Sequence, residues 1–177
     1  MPEASTQGAL TTIIPPTDPV IATERIRLSH LTGEAVAAMP WLDAVLAPDW
    51  HLDALERAVE AGAGVLISDR SDLPLGAAIV LLGRPFAGAA TIPVLAIDPS
   101  RRFRGLGGEA AIALERYLRA KHGVETVYTP IPDGRGLAVY FWLRQGYRPL
   151  TVADGPGPLI GLTDEPRPGI WMMRRSA

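Results

Sequence analysis

The residues of this chain best suited to chemistry stand between Ala90 and Leu118, in the run ATIPVLAIDPSRRFRGLGGEAAIALERYL. A short apolar stretch, Val94 to Ile97, leads into a basic, glycine-rich turn, Arg101 to Gly108, which opens an amphipathic helix. A strand that ends in such a turn builds an anion site. The amides at a helix start have no intrahelical acceptor, and the helix dipole adds partial positive charge there. Arg101, Arg102 and Arg104 add full charges around it. The expected ligand carries phosphate.

Two familiar glycine loops are excluded. No GxxxxGK[ST] occurs, so the phosphate loop of nucleotide hydrolases is absent. The spacing also misses GxGxxG, and no acidic residue follows about twenty positions later at a strand end, as a dinucleotide site requires. What stands here is Arg102-Phe103-Arg104-Gly105-Leu106-Gly107, followed by Gly108. Gly105 and Gly107 let the backbone turn tightly and approach a ligand without an intervening Cβ. The plain alternative is an ordinary turn with solvent-facing arginines.

This R-x-x-G-x-G segment resembles the acyl-CoA-binding turn of the GCN5-related N-acetyltransferase (GNAT) family, with Arg102, Gly105 and Gly107 at the matching positions. The preceding Leu95-Ala96-Ile97 is similar to the family's fourth strand, whose backbone pairs with the pantetheine arm. Downstream, Ala138, Gly146 and Tyr147 resemble the end of the family's last core helix and the strand after it. The likeness runs from about Ile21 to Met173. It implies a mixed α/β fold of the α+β type, with a mostly antiparallel sheet flanked by helices. It also implies acetyl-CoA as acyl donor, a primary amine of a small molecule or peptide as acceptor, and a cofactor site comprising Leu95, Ala96, Ile97, Arg102, Phe103, Arg104, Gly105, Leu106, Gly107, Gly108 and Trp142.

The departures from that family concern the chemistry. Acyl transfer needs a neutral amine against the thioester, a donor for the developing oxyanion and a proton for the departing thiolate. An amide near Leu95 suits the oxyanion, because Pro93 interrupts the strand ladder just before it. The family's usual proton donor is a tyrosine four residues before the helix-ending glycine, and here that place is Trp142, whose indole N–H performs no acid chemistry. The frequent asparagine seven residues earlier is Arg135. Tyr140 is the nearest hydroxyl and the candidate catalytic residue, although two residues are about 200° around a helix and aim it elsewhere. Asp98, Asp133 and Glu24 are the candidate carboxylates, Asp98 suiting a turn with Pro99. Two other readings stay open: a catalytically degenerate domain that binds acyl-CoA or a protein, and an interaction domain that binds no CoA.

The chain that must position these groups has 177 residues, enough for one domain with its own core. Its net charge of -2 gives no general drive toward nucleic acid or an anionic membrane, so the basic patch is local. The lack of cysteine excludes disulfides, a thiol nucleophile and cysteinyl metal sites, and His30, His51 and His122 lack ligand spacing. No long apolar span or cleavable apolar leader is visible, so the cytosol is expected, with a homodimer among the assemblies open to it. Met1–Val20, rich in Pro and Thr, is expected as a flexible arm before a single domain over 21–177.

Along the domain, alternation predicts a strand over Glu24–Leu28. A helix follows, capped by Thr32 and stapled by Leu31 and Val36, and ends near Pro40 and Trp41. A second helix is predicted over Asp49–Ala61, and Trp41, Trp50 and His51 fall at the join, where they either wall an acceptor pocket, as the family resemblance implies, or pack the helices. Two antiparallel strands, Val65–Ser68 and Leu75–Leu82, precede the strand Thr91–Asp98. The helix opened by the glycine turn closes at Lys121-His122-Gly123, with His122 expected as a charge partner for the helix end. Strand Val124–Thr129, helix Gly134–Gln145 and strands Tyr147–Val152 and Gly169–Met173 complete the pattern, with Asp154–Pro168 as a long loop.

Overall fold

The computed structural model describes residues 13–15, 21–46, 52–154 and 169–175. Eight strands form one sheet: β1 (Ile21–Ala22), β2 (Ile26–His30), β3 (Gly64–Asp69), β4 (Pro74–Leu82), β5 (Ala89–Ile97), β6 (Thr126–Pro132), β7 (Arg148–Pro149) and β8 (Gly169–Arg175). Their spatial order is β1-β2-β3-β4-β5-β6-β8-β7. Every neighbouring pair is antiparallel except β5 and β6, which run parallel. This is the mixed, mostly antiparallel sheet that the sequence predicts.

Helices cover both faces. On one side lie α1 (Gly33–Ala37), α2 (Trp41–Leu46) and α3 (Leu52–Glu60); on the other lie α4 (Leu106–His122) and α5 (Gly136–Arg144). The central strand β4 is therefore apolar on both faces. Its Ala77, Ile79 and Leu81 pack with Leu31, Met39, Leu42 and Leu55, while Ala78 and Val80 pack with Ala110, Leu114 and Leu118 of α4. A near-continuous apolar run is what a doubly covered strand requires. Among the described residues no helix is long and apolar enough to cross a membrane.

Several boundaries move for identifiable reasons. Thr32 caps α1 as expected, accepting from the Ala35 amide at 3.2 Å, but α1 ends at Ala37 and Trp41 begins a separate helix. Pro40 suits the start of a helix better than its interior, so it restarts the chain here. The first long strand begins at Ile26 because the Thr23 amide and hydroxyl both bond Ile26 and close a turn over Glu24 and Arg25. Within the expected flexible arm, Ile13 and Ile14 are buried in the α4-side core. Ile13 donates to Gly62 O at 2.9 Å, and the carbonyls of Ile13 and Ile14 meet His122 Nε2 and His30 Nδ1 at 3.0 and 3.1 Å. Apolar burial ties these residues down, and His122 serves that segment. The remainder of the expected arm and the residues 155–168 of the expected loop lie outside the described residues.

One buried polar cluster fixes α4 against the end of α5. Glu115 of α4 accepts from the Tyr147 hydroxyl at 2.8 Å and is flanked by Arg119 and Arg174 at 3.4 and 3.5 Å. Burial, together with the Glu115 carboxylate, pushes the Tyr147 phenol far above its ordinary value, so it remains a donor. Removing a donor from a buried carboxylate costs about 1–3 kcal/mol. Tyr147→Phe is accordingly expected to lower unfolding stability by about that amount, read as a drop in the urea midpoint with an unchanged slope.

Candidate active site

The sheet opens where β5 leaves β6. Only Ala89–Thr91 pair with Thr126–Tyr128. Beyond them β5 stays with β4 as far as Ile97, while β6 stays with β8 to its end. The gap is a cleft of about 140 Å³, walled by Pro93–Ala96 on one side and Thr129–Pro132 on the other. Val45 and Leu46 of α2 and Arg135, Ala138 and Trp142 at α5 complete the lining. A gap between strands leaves backbone groups without ladder partners, which is costly unless something replaces them. Pro93, Pro130 and Pro132 have no N–H and so reduce that cost.

Alternation along β5 decides which amides face the opening. Asp98 N donates to Leu75 O at 2.8 Å, which puts Asp98, Ala96 and Val94 in the set bonded toward β4. Leu95 and Ile97 therefore direct their amides and carbonyls away from β4, into the gap. Arg102 Nε donates to Ile97 O at 3.4 Å, in agreement with that direction. A bulge between Ile79 and Leu81, opposite Pro93, starts this arrangement.

At the far end of β5 the chain enters a 3-10 turn, Pro99–Arg101, capped by Asp98, whose side chain accepts from Ser100 N at 2.8 Å. Asp98 thus shapes the turn, as expected. Phe103 and Gly105 then adopt left-handed backbone, with φ of 62° and 78°, and α4 starts at Leu106. Glu109 N, donating to Gly105 O at 3.1 Å, is the first amide of α4 with a backbone partner. The amides of Leu106, Gly107 and Gly108 precede it and face outward from the helix start. Gly107 and Gly108 are packed beneath by Phe141 and Gln145 of the α5 segment, whose atoms lie 3.3 and 3.1 Å from where a Cβ would stand. Small residues are needed there for α5 to pass so close.

A second network holds the turn, and the motif does not predict it. Arg25, on the β1–β2 turn, donates to Glu109 Oε2 through Nε at 2.7 Å and to the Arg104 carbonyl through Nη1 at 2.7 Å. Its own amide and the Thr23 hydroxyl both donate to Glu109 Oε1. Burial pushes the Glu109 carboxyl up, but the hydrogen bonds from Thr23 and Arg25 outweigh it and hold the group below the ordinary 4.5. The legible signal was an acidic residue in the first turn of α4; its partner more than eighty positions earlier was not legible.

The structure brings together Leu95, Ala96, Ile97, Arg102, Phe103, Arg104, Gly105, Leu106, Gly107 and Gly108 on one continuous strand and turn, and puts Trp142 in the cleft wall. Trp142 is buried, its ring packed edge-on to Phe141 and tilted against Tyr147 at 5.0 and 4.6 Å. Tyr140 stands apart: it is 60% exposed, lies under Arg144 at 5.9 Å and does not line the cleft. Regular winding of α5 turns it away from Trp142, a cleft-lining residue of that helix, and no core packing holds its ring. Glu24 and Asp133 are exposed and also absent from the lining. Arg135 reaches Val45 O at 3.4 Å and joins α5 to α2 across the cleft. Val45 and Leu46, rather than Trp41, carry the helix join to the cleft; Trp50 and His51 lie outside the described residues.

No protein-family profile matches the chain, and no curated protein matches it in sequence. Solved structures do. The fold matches a GCN5-related N-acetyltransferase from Brucella melitensis with a TM-score of 0.68 at 14% identity, over 91% of this chain and 80% of that one. It matches an acetyltransferase from Thermus thermophilus with a TM-score of 0.61 at 22% identity, over 89% and 100%. It also matches Arabidopsis thaliana Naa50, solved in complex with the bisubstrate analogue CoA-Ac-MVNAL, with a TM-score of 0.61 at 17% identity, over 85% and 99%. The chain has the GNAT fold.

The Glu109 contacts generate a pH dependence of known sign. Because the folded-state value is lowered, the stabilisation is fully present above the ordinary glutamate range and is lost as pH falls through the lowered value. Arg25 is about half-exposed, so solvent screens part of the ion pair. Glu109→Gln is expected to cost about 1–2 kcal/mol at pH 7. The gap from the parent should stay constant down to about pH 5 and narrow below about pH 4, as read from chemical denaturation at each pH.

Proposed function

We propose that this protein is an acyl-CoA-dependent N-acyltransferase that transfers acetyl from acetyl-CoA to a primary amine of a small molecule or peptide. The observation that carries the proposal is continuity: an amide-rich, arginine-flanked helix start leads along one edge of β5 into the cleft. A ligand with a diphosphate at one end and a thin, amide-bearing arm at the other fits that path. The Leu106–Gly108 amides and the Arg102 and Arg104 charges take the diphosphate. Leu95 offers its carbonyl, and Ile97 its amide and carbonyl, to the arm, strand-fashion. The GNAT fold supports the same assignment.

In the reaction the amine nitrogen attacks the thioester carbonyl carbon, the C–S bond breaks, and an amide and the CoA thiol result. The Leu95 amide, facing the gap, is the donor for the developing oxyanion. The described residues that line the cleft contribute Thr129, Arg135 and Trp142 as polar side chains, with no carboxylate or imidazole among them. On this reading water takes the proton from the attacking amine and returns one to the thiolate, and the protein acts by positioning and by excluding other geometries. That lining is also the observation favouring the second reading, a domain that binds acyl-CoA without turnover.

Calorimetric titration with acetyl-CoA tests the site. The parent is expected to bind in the micromolar range, and an Arg102→Ala, Arg104→Ala variant about ten- to a hundredfold more weakly. No binding by the parent would sink both readings, whereas binding without thiol release across a panel of amines would select the second. In the same thiol assay Tyr140→Phe should keep turnover within about twofold of the parent, since its hydroxyl is remote from the cleft lining.

A further inference from the structure

We infer that the Phe103 ring is the surface on which the adenine of the acyl-CoA cosubstrate stacks, an assignment that rests on the acyl-CoA reading above. Phe103 is 94% exposed, at the tip of the anion turn. Its backbone is left-handed, with φ of 62°. The other non-glycine residue with positive φ among those described is Asp72, a type that tolerates the conformation. An aromatic residue there costs free energy through its backbone, and its ring recovers none by burial in the folded chain.

The surroundings enforce this geometry. On one side the Arg102 side chain is drawn back to Ile97 O. On the other the Arg104 carbonyl is held by Arg25, itself anchored on Glu109. Both neighbours of Phe103 are therefore hydrogen-bonded, and the ring projects from a turn held on either side. Strain maintained in this way marks a place where the exposed group has work to do.

Direction identifies the ligand group. With the diphosphate on the Leu106–Gly108 amides, the pantetheine arm must enter the cleft along β5. The nucleoside leaves the diphosphate from its other end, over the solvent side of the turn. Phe103 is the exposed large apolar residue of that turn, whereas Leu106 is half-buried against the core. A purine needs only a flat apolar face to stack on, and Arg102 and Arg104 supply cations beside it.

A double-mutant cycle tests the pairing by calorimetry, with acetyl-CoA and with an abasic acetyl-CoA analogue bearing hydrogen at ribose C1′. Phe103→Gly is expected to weaken acetyl-CoA about five- to a hundredfold. Phe103→Trp should hold it within about threefold of the parent. The abasic analogue should bind the parent as weakly as acetyl-CoA binds Phe103→Gly, and should lose no more than about twofold on that substitution. Since glycine accepts positive φ, the variant should melt no lower than the parent. An unchanged acetyl-CoA affinity in Phe103→Gly overturns the assignment, as would equal losses for both ligands, which would mean that the ring shapes the phosphate turn. If the parent binds neither ligand, the acyl-CoA reading fails and the stacking role with it.

Discussion

The cleft depends on one strand being unable to serve two neighbours. Up to Thr91, β5 pairs on both edges; beyond it, β5 follows β4 and β6 follows β8. An unpaired strand edge inside a domain is normally a liability, because each free amide and carbonyl must find a partner. Here the opening is stabilised by what lacks a donor, Pro93, Pro130 and Pro132, and by helices that cover both faces of the sheet. What remains is a short row of backbone groups, those of Leu95 and Ile97, whose natural partner is another extended chain. The cleft is thus a strand-shaped vacancy in a sheet.

The turn that opens α4 is organised by different physics. Helix α4 offers unpaired amides by necessity, but their usefulness depends on the turn keeping a conformation that Phe103 resists. The turn is held from outside by Arg25, which joins Glu109 to the Arg104 carbonyl. A carboxylate near a helix start is favourable to the dipole, yet by itself it would compete with an incoming anion. Pairing with Arg25 and Thr23 neutralises that competition while leaving the Leu106–Gly108 amides open. The same residues therefore stabilise the fold and set the field at the site.

Between these ends, α5 supplies bulk more than chemistry. Trp142 stands in the cleft wall, and its burial beside Tyr147 makes it part of the packing between α5 and the sheet. Glu115, bonded to Tyr147, extends that packing to α4. The cleft wall and the turn that opens α4 are in this way braced by one continuous set of contacts.

The sequence alone determined the parts whose causes are local. Period-two alternation marked the strand through Ile26 and Leu28, Thr32, Gly123 and Gly146 marked helix ends, and Arg102, Gly105 and Gly107 marked the turn, because each acts within a few residues of itself. The antiparallel character of the sheet and the value of a proline in β5 were legible through the family resemblance that these motifs carry. Contacts between distant segments were not. Nothing near Arg25 shows that it faces Glu109, and nothing near Ile13 and Ile14 shows that two histidines from separate elements hold their carbonyls. Spacing could place Tyr140 and Trp142 on different sides of α5, but only the tertiary structure decided which side meets the cleft. It did so because burial of the larger apolar surface, the indole in the core beside Tyr147, orients the helix, and Tyr140 is left in solvent.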